Sequence, residues 1–339
     1  MEVWKLKIVK HSLGSQQKEE AMKKKFLVAL LSLFLATILF PNHSMAQDEV
    51  KIGYLTLVMS LPTFVALEKG YFQEQGLKVT ATPFESGTLI VDALVAGRID
   101  VNAGSAVVAH WLAEQNFPGT FKVFVVYGPV QPKDNTFILV VAKNSPMKEM
   151  KDLKGKKVAT FPGIASLILA KAVLRPYFDP EKEATLIEIP PGNIVQALAT
   201  GQIDAYFTPE PFGMIGVAQG VGRYLVEHPV LSLNLKTGYP GGAFTFNSKF
   251  LKEKPLTARK VKAAIDKGVD FISANEQEAR RFLVKYAKLP EPFAMKIPFD
   301  PWFKTEQYNK SYGQPYFDLL KREGLFQKHI DTTQLYYQE

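Results

Sequence analysis

The stretch IVDALVAGRID at residues 90–100 returns as IVQALATGQID at residues 194–204, identical at seven of eleven positions with no gap. In each copy Ile, Val and the following Leu (Ile90, Val91, Leu94; Ile194, Val195, Leu198) fall at i, i+1 and i+4, one face of a helix. Gly97 and Gly201 then stand where a residue of positive φ ends a helix, and an Ile-Asp step opens a strand. One α/β unit is built twice, so two similar lobes are expected, with the cleft between them the place for a ligand.

Working outward, each copy predicts the same order of elements. In the first, residues 50–54 read as a strand, 64–69 as a helix entered through Ser60 and Pro62, 77–84 as a strand, then the repeat helix and a strand over 99–103. In the second, 156–161 is a strand, 163–174 a helix, 184–189 a strand, 193–199 a helix and 203–207 a strand. Strands alternating with helices of about ten residues predict an α/β protein whose lobes each hold a parallel-type sheet flanked by helices. The apolar runs 137–142 and 243–247 are taken as two crossings between lobes. The division is then 1–46 leader, 47–137 first part of lobe 1, 138–243 lobe 2, and 244–339 completion of lobe 1 with C-terminal helices at 257–274 and 276–286. The aromatic-rich residues 298–317 are expected to pack against a lobe and not to form a ligand box.

The leader reading covers residues 22–46. Lys23, Lys24 and Lys25 make a positive start, residues 26–40 are an apolar run too short to span a membrane, and Ser44-Met45-Ala46 supplies small residues before a cut at Gln47. Residues 1–46 hold seven Lys and three acids, so their removal takes 41 basic and 33 acidic residues to 34 and 30, and the net charge from +8 to +4. No segment clusters Lys and Arg with aromatics, so nucleic acid is not an expected partner. Cysteine is absent, which excludes disulfides, thiolate metal sites and a lipidated cysteine. The mature chain is expected to be soluble, monomeric and free of metal or cofactor.

In an open parallel sheet, ligands collect at the carboxyl ends of strands, against helix N-termini. In the first lobe that rule selects Thr56, Ser60, Glu85, Ser86, Gly87, Thr88, Gly104 and Ser105; in the second it selects Phe161, Gly163, Ser166, Gly192, Asn193 and Glu210. Ser60, Ser86 and Asn193 also read as plain helix caps. Asp100 and Asp204 sit at the opposite strand ends and read as structural, as does Glu210 between its two prolines. Catalytic constellations are missing: outside the leader the only histidines are His110, His228 and His329, without ligand spacing, and there is no GxxxxGK[ST], HExxH or GxSxG. A binding protein is expected, not an enzyme.

KIGY near residue 51, ALEKGYFQEQGLKVTATPFESG, ALVAGRIDV, DLKGKKVATFPG and ALATGQIDAYFTPEP together resemble the solute-binding proteins of ABC importers in the aliphatic sulfonate, taurine, nitrate and thiamine-pyrimidine-precursor group. The resemblance covers nearly all of the chain after the leader. It implies a two-lobed periplasmic binding fold of the second topological type, capture of a small solute between the lobes and delivery to a permease at the inner membrane. It places the ligand loops at residues 85–87, 104–105, 161–166, 192–193 and 209–211. Sulfonate-binding members are typically rich in Ser and Thr after the glycine equivalent to Gly163, whereas here Ile164 and Ala165 intervene before Ser166; Glu85 also opposes an anion. An organic solute with a donor, such as an aminopyrimidine, is as well matched. The alternative on the same fold is a pyrimidine-precursor synthase-like enzyme, disfavoured because its cysteine-rich run is absent.

Overall fold

A computed structural model describes residues 47–130, 136–226, 228–236 and 238–338, together with Met22, Lys24 and Lys25, which are helical. The remainder of the expected leader, including the apolar run and the cleavage site, lies outside the described residues. Among the described residues no helix is long and apolar enough to cross a membrane.

The chain after Ala46 begins with β1 (Asp48–Leu55), α1 (Leu61–Glu68), the single turn α2 (Tyr71–Glu74), β2 (Leu77–Phe84), α3 (Gly87–Val95), β3 (Val101–Ala106), α4 (Val107–Asn116) and β4 (Phe121–Tyr127). It continues with β5 (Phe137–Ala142), β6 (Lys157–Thr160), α5 (Ile164–Leu174), β7 (Thr185–Glu188), α6 (Pro191–Ala199), β8 (Ala205–Pro209), α7 (Phe212–Ala218) and β9 (Gly222–Val226). It ends with β10 (Gly242–Asn247), α8 (Ser248–Glu253), α9 (Pro255–Ala274), α10 (Glu276–Tyr286), α11 (Glu291–Ala294), β11 (Trp302–Lys304) and α12 (Gly313–Arg322). Two sheets result, in the orders β11-β4-β10-β3-β1-β2 and β7-β6-β8-β5-β9. In each, a parallel trio (β2-β1-β3; β7-β6-β8) meets one antiparallel strand, β10 or β5.

The internal repeat persists down to single hydrogen bonds. Gly97 and Gly201 have φ of 67° and 71° and close the two helices. Ala96 N–H donates to Asp92 O and Thr200 N–H to Gln196 O, each at 3.0 Å. Asp100 Oδ2 accepts from Lys51 N–H at 2.8 Å, and Asp204 Oδ2 accepts from Lys157 N–H at 2.8 Å. Each aspartate thus ties the start of its strand to the neighbouring parallel strand, at the end away from the cleft, as read from the sequence. A charge-assisted bond at a half-exposed site contributes about 1–2 kcal/mol. Asp100→Ala and Asp204→Ala should therefore each lower the melting temperature by about 2–4 °C, with additive losses in the double variant because the sites share no partner. Thermal unfolding of the three variants checks this; strong non-additivity would mean the two turns are not independent copies.

The two runs taken as crossings are corrected. Residues 137–142 are β5, paired with both β8 and β9 in the middle of the second sheet, and residues 243–247 lie in β10, between β3 and β4. Both are apolar because they are buried on two faces, which is what a central strand needs. The chain passes between sheets just before each of them. There, Val130 N–H donates to Tyr239 O at 2.7 Å and Tyr239 N–H to Val130 O at 3.2 Å, so the passages are bonded to each other.

The first sheet is covered on one face by α1 and α9, which bury Leu61, Phe64, Val261 and Ile265 against Phe124, Phe244 and Phe246. Residues 298–317 pack against this lobe only in part as expected: β11 forms its edge strand on β4 and Trp302 Nε1–H donates to Met59 O at 2.9 Å, but Pro298 and Asp300 line the cavity between the two sheets. Strands β4 and β9 and helices α4, α7, α8 and α12 had no counterpart in the sequence reading.

Candidate functional site

Between the two sheets, at the carboxyl ends of β1, β2, β6 and β8, lies a cavity of about 380 Å³. Ten of the expected residues line it: Thr56, Glu85, Ser86, Gly87, Thr88, Phe161, Gly163, Ser166, Gly192 and Glu210. The N-termini of α3 and α5 approach one another here. A side-chain carbon added at Gly163 would lie 3.5 Å from Thr88 Oγ1 and 3.7 Å from Ser86 Cβ, so the lips of the two lobes are nearly in contact at this point. Gly163 has φ of +116°, which an L-residue rarely adopts, and its N–H donates to Glu188 Oε1 at 2.9 Å. Ser86 caps α3, its Oγ accepting from Leu89 N–H at 3.3 Å.

Four expected residues do not line the cavity. Strand β3 runs on to Ala106, three residues beyond its expected end, so Gly104 and Ser105 lie inside the sheet and only Ala106 reaches the cavity. Ser105 Oγ instead accepts from Asn102 Nδ2–H at 2.7 Å. Ser60 is fully buried and its Oγ accepts from Leu55 N–H at 3.3 Å; it occupies the N-cap position of α1 without capping it. Helix α6 starts at Pro191, two residues before the expected start, which leaves Asn193 exposed in the first turn and neither cap nor wall.

Beneath Ala106 is a buried polar cluster. His110 Nε2 lies 3.0 Å from both Asn102 Nδ2 and Thr245 Oγ1, and Nδ1 lies 3.2 Å from Ala106 O. Burial pushes the imidazole down to about 4, so it is neutral near pH 7, with Nδ1–H donating to Ala106 O and Nε2 accepting.

The cavity walls are mainly apolar and aromatic: Leu57, Met59, Phe84, Tyr127, Phe137, Phe161 and Phe212. Phe161 and Phe212 meet edge to face at 5.0 Å and 87°. The charged groups among the described lining residues are Glu85, Glu210 and Asp300 against a single Lys288. Glu85 and Lys288 are exposed, whereas Glu210 and Asp300 are buried. Glu210 Oε1 accepts from Tyr224 Oη–H at 2.6 Å and Oε2 from Met214 N–H at 3.0 Å, so it is anchored to β9 and to the first turn of α7. Burial raises its pKa, opposed by those hydrogen bonds. Asp300 N–H donates to Tyr127 Oη at 3.0 Å.

Thr136, Tyr127, Lys288, Pro298 and Asp300 were missed by the sequence reading. They come from the end of the antiparallel strand β4, from the first passage, from a loop after α10 and from the segment before β11, none of which follows a parallel strand. Thr136 is the one whose chemistry asks for a partner: its residue is 6% exposed, and its buried Oγ1 has no hydrogen bond among the described residues. Among the described residues no cluster of His, Asp or Glu could hold a metal ion.

A family model described as NMT1-like matches residues 44–287. The chain belongs to the NMT1-like family. A putative binding protein of Brucella abortus is 27% identical over 264 residues, spanning 76% of this chain and 78% of its own. A putative aliphatic sulfonates-binding protein of Escherichia coli is 23% identical over 325 residues, 94% of this chain and 97% of its own. Among solved structures, the alkanesulfonate-binding protein SsuA of Xanthomonas axonopodis pv. citri, bound to MOPS, superposes with a TM-score of 0.69 at 20% identity over 86% of this chain and 98% of that one. The nitrate-binding protein NrtA of Synechocystis PCC 6803 gives 0.65 at 19% over 85% and 84%. The desulfurization enzyme DSZB gives 0.61 at 14% over 85% and 96%, so the fold also carries an enzyme. This NMT1-like chain therefore has the two-lobed periplasmic binding fold, and its likeness to sulfonate- and nitrate-binding proteins holds.

Proposed function

We propose that this NMT1-like protein is the solute-binding component of an ABC importer. It works in the periplasm, takes a small organic solute into the cavity between its lobes and delivers it to a permease. The solute class is that of sulfonates, taurine-like compounds or thiamine-pyrimidine precursors, and the charge of the cavity carries the choice within it. Three carboxylates against one exposed lysine oppose a bare oxyanion, while the helix N-termini at Gly87 and Gly163 favour an acceptor by about 0.3–1 kcal/mol each. Nitrate would also leave most of the space unfilled, since 380 Å³ equals the share of roughly a dozen waters. The solute we infer has a flat apolar body against Phe84, Phe161 and Phe212, a donor toward Glu85, and a polar group that pairs with Thr136 Oγ1.

The two passages, bonded to each other through Val130 and Tyr239, are the proposed hinge, with lobe 1 formed by β1–β4, β10 and β11 and lobe 2 by β5–β9. An enzymatic reading on the DSZB-like fold has less support: among the described residues the cavity offers no nucleophile paired with a base and no metal cluster.

Thermal-shift measurements against aminopyrimidines, taurine, alkanesulfonates and nitrate test the reading. A true solute at about 100 times its Kd adds about 2.7 kcal/mol to the folded state, roughly 5 °C for a chain of this size. Glu85→Gln should weaken a donor-bearing solute and leave the melting temperature of the free protein unchanged. A full shift with nitrate alone, tightened by Glu85→Gln, would overturn the donor-bearing class.

A further inference from the structure

We propose that residues 310–337 form a strap that fixes the angle between the two lobes, with the Arg175–Glu323 ion pair as its releasable end. Both ends of this segment are tied to lobe 1. Beyond a short turn at Lys310–Tyr312, α12 packs on α4, with Trp111 edge-on to Phe317 at 5.6 Å and 83°. Farther on, Gln115 Oε1 accepts from Gln327 and Lys328 N–H at 2.8 and 2.9 Å, and Tyr337 N–H donates to Val123 O in β4 at 2.7 Å.

Between those ties the segment leaves its own lobe. The ring of Tyr316 lies 4.4 Å from that of Tyr239, in the passage hydrogen-bonded to Val130. Glu323, which ends α12, is paired with Arg175, which ends α5 in lobe 2, and Phe317 and Phe326 share one buried cluster with Val173 and Phe178. None of residues 310–337 lines the cavity, so this contact lies away from the lips, across the Tyr239 passage. An ion pair needs its partners within about 4 Å, so a rotation that parts the lips by several ångström also displaces Glu323 from Arg175. The pair therefore favours the arrangement described here. With side chains 35% and 23% exposed, its effect on the balance is modest, about 2–5-fold.

This rests on the proposed closure of lobes over a solute, but its test needs none. The chain has no cysteine, so Thr80→Cys in lobe 1 and Gln196→Cys in lobe 2, both exposed positions, can carry a donor and acceptor dye cleanly. In solute-free protein, Glu323→Lys should raise the low-transfer population about 2–5-fold or more, and adding Arg175→Glu should return it toward wild type. Distributions that are identical in wild type and Glu323→Lys, or shifted equally in the double variant, would overturn the strap. Circular dichroism melts confirm that each variant is folded. Failure of every candidate solute in the thermal screen would count against the proposed function and leave this result standing.

Discussion

Glu210→Ala is expected to melt about 5–6 °C below wild type, the largest loss among the substitutions considered. The side chain is 5% exposed and accepts from Tyr224 Oη and from the amides of Gly213 and Met214. Removing it leaves a half-buried hydroxyl and the first turn of α7 without an acceptor, at about 1–3 kcal/mol for each donor that water cannot reach, or about 3 kcal/mol net. Glu210→Gln separates the charge from the shape. Burial raises the folded-state pKa above the free value of 4.5, so the fold favours the protonated acid. Its contribution is fully present below about pH 4.5 and is lost as pH rises through the raised value. Wild type should therefore lose stability relative to Glu210→Gln as pH rises across that window and run parallel above it. Chemical denaturation at a series of pH values measures this; a difference that grows in favour of wild type with rising pH would mean that the hydrogen bonds, and not burial, set the titration.

Gly268→Ala should also destabilise, by about 2 kcal/mol or roughly 3–4 °C, although alanine is the better helix former. Propensity alone would give about 1 kcal/mol in its favour. The added carbon, however, would sit 2.4 Å from the carbonyl oxygen of Pro62 and 3.1 Å from its carbon, both backbone atoms of α1. Neither can swing away, and separating α9 from α1 would loosen the layer that holds Phe64 and Ile265. Overpacking of this kind costs about 1–3 kcal/mol and sometimes more. A rise in melting temperature would show that the two helices can slide apart freely.

What the sequence disclosed follows how local each signal is. Strand β2 at Leu77–Phe84 and helix α10 at Glu276–Tyr286 have the bounds expected, because glycines, caps and charged turns bracket them. Strand β4, FKVFVVY, is apolar on both faces and paired on both edges, and its sequence has no period to separate it from a buried helix. The crossings were misread because an apolar run after a loop says that a buried strand begins, not which sheet it enters. In the site, the strand-end rule found the loops after β2, β6 and β8. It failed at Gly104 and Ser105, where pairing with β10 carries β3 farther than its own residues indicate. Thr136, Lys288 and Asp300 reach the cavity only through long-range packing, and a single sequence holds no trace of that.

The position of β10 bears on how the chain becomes a protein. As residues emerge in order, all five strands of the second sheet are available once Val226 has appeared, whereas the first sheet still lacks the strand that belongs between β3 and β4. Until residue 247 follows, β3 and β4 each present an unpaired, apolar edge, the kind of surface that recruits other chains. The lobe begun first is thus the lobe finished last, and the interval between the two is the period in which the nascent chain is most exposed to aggregation.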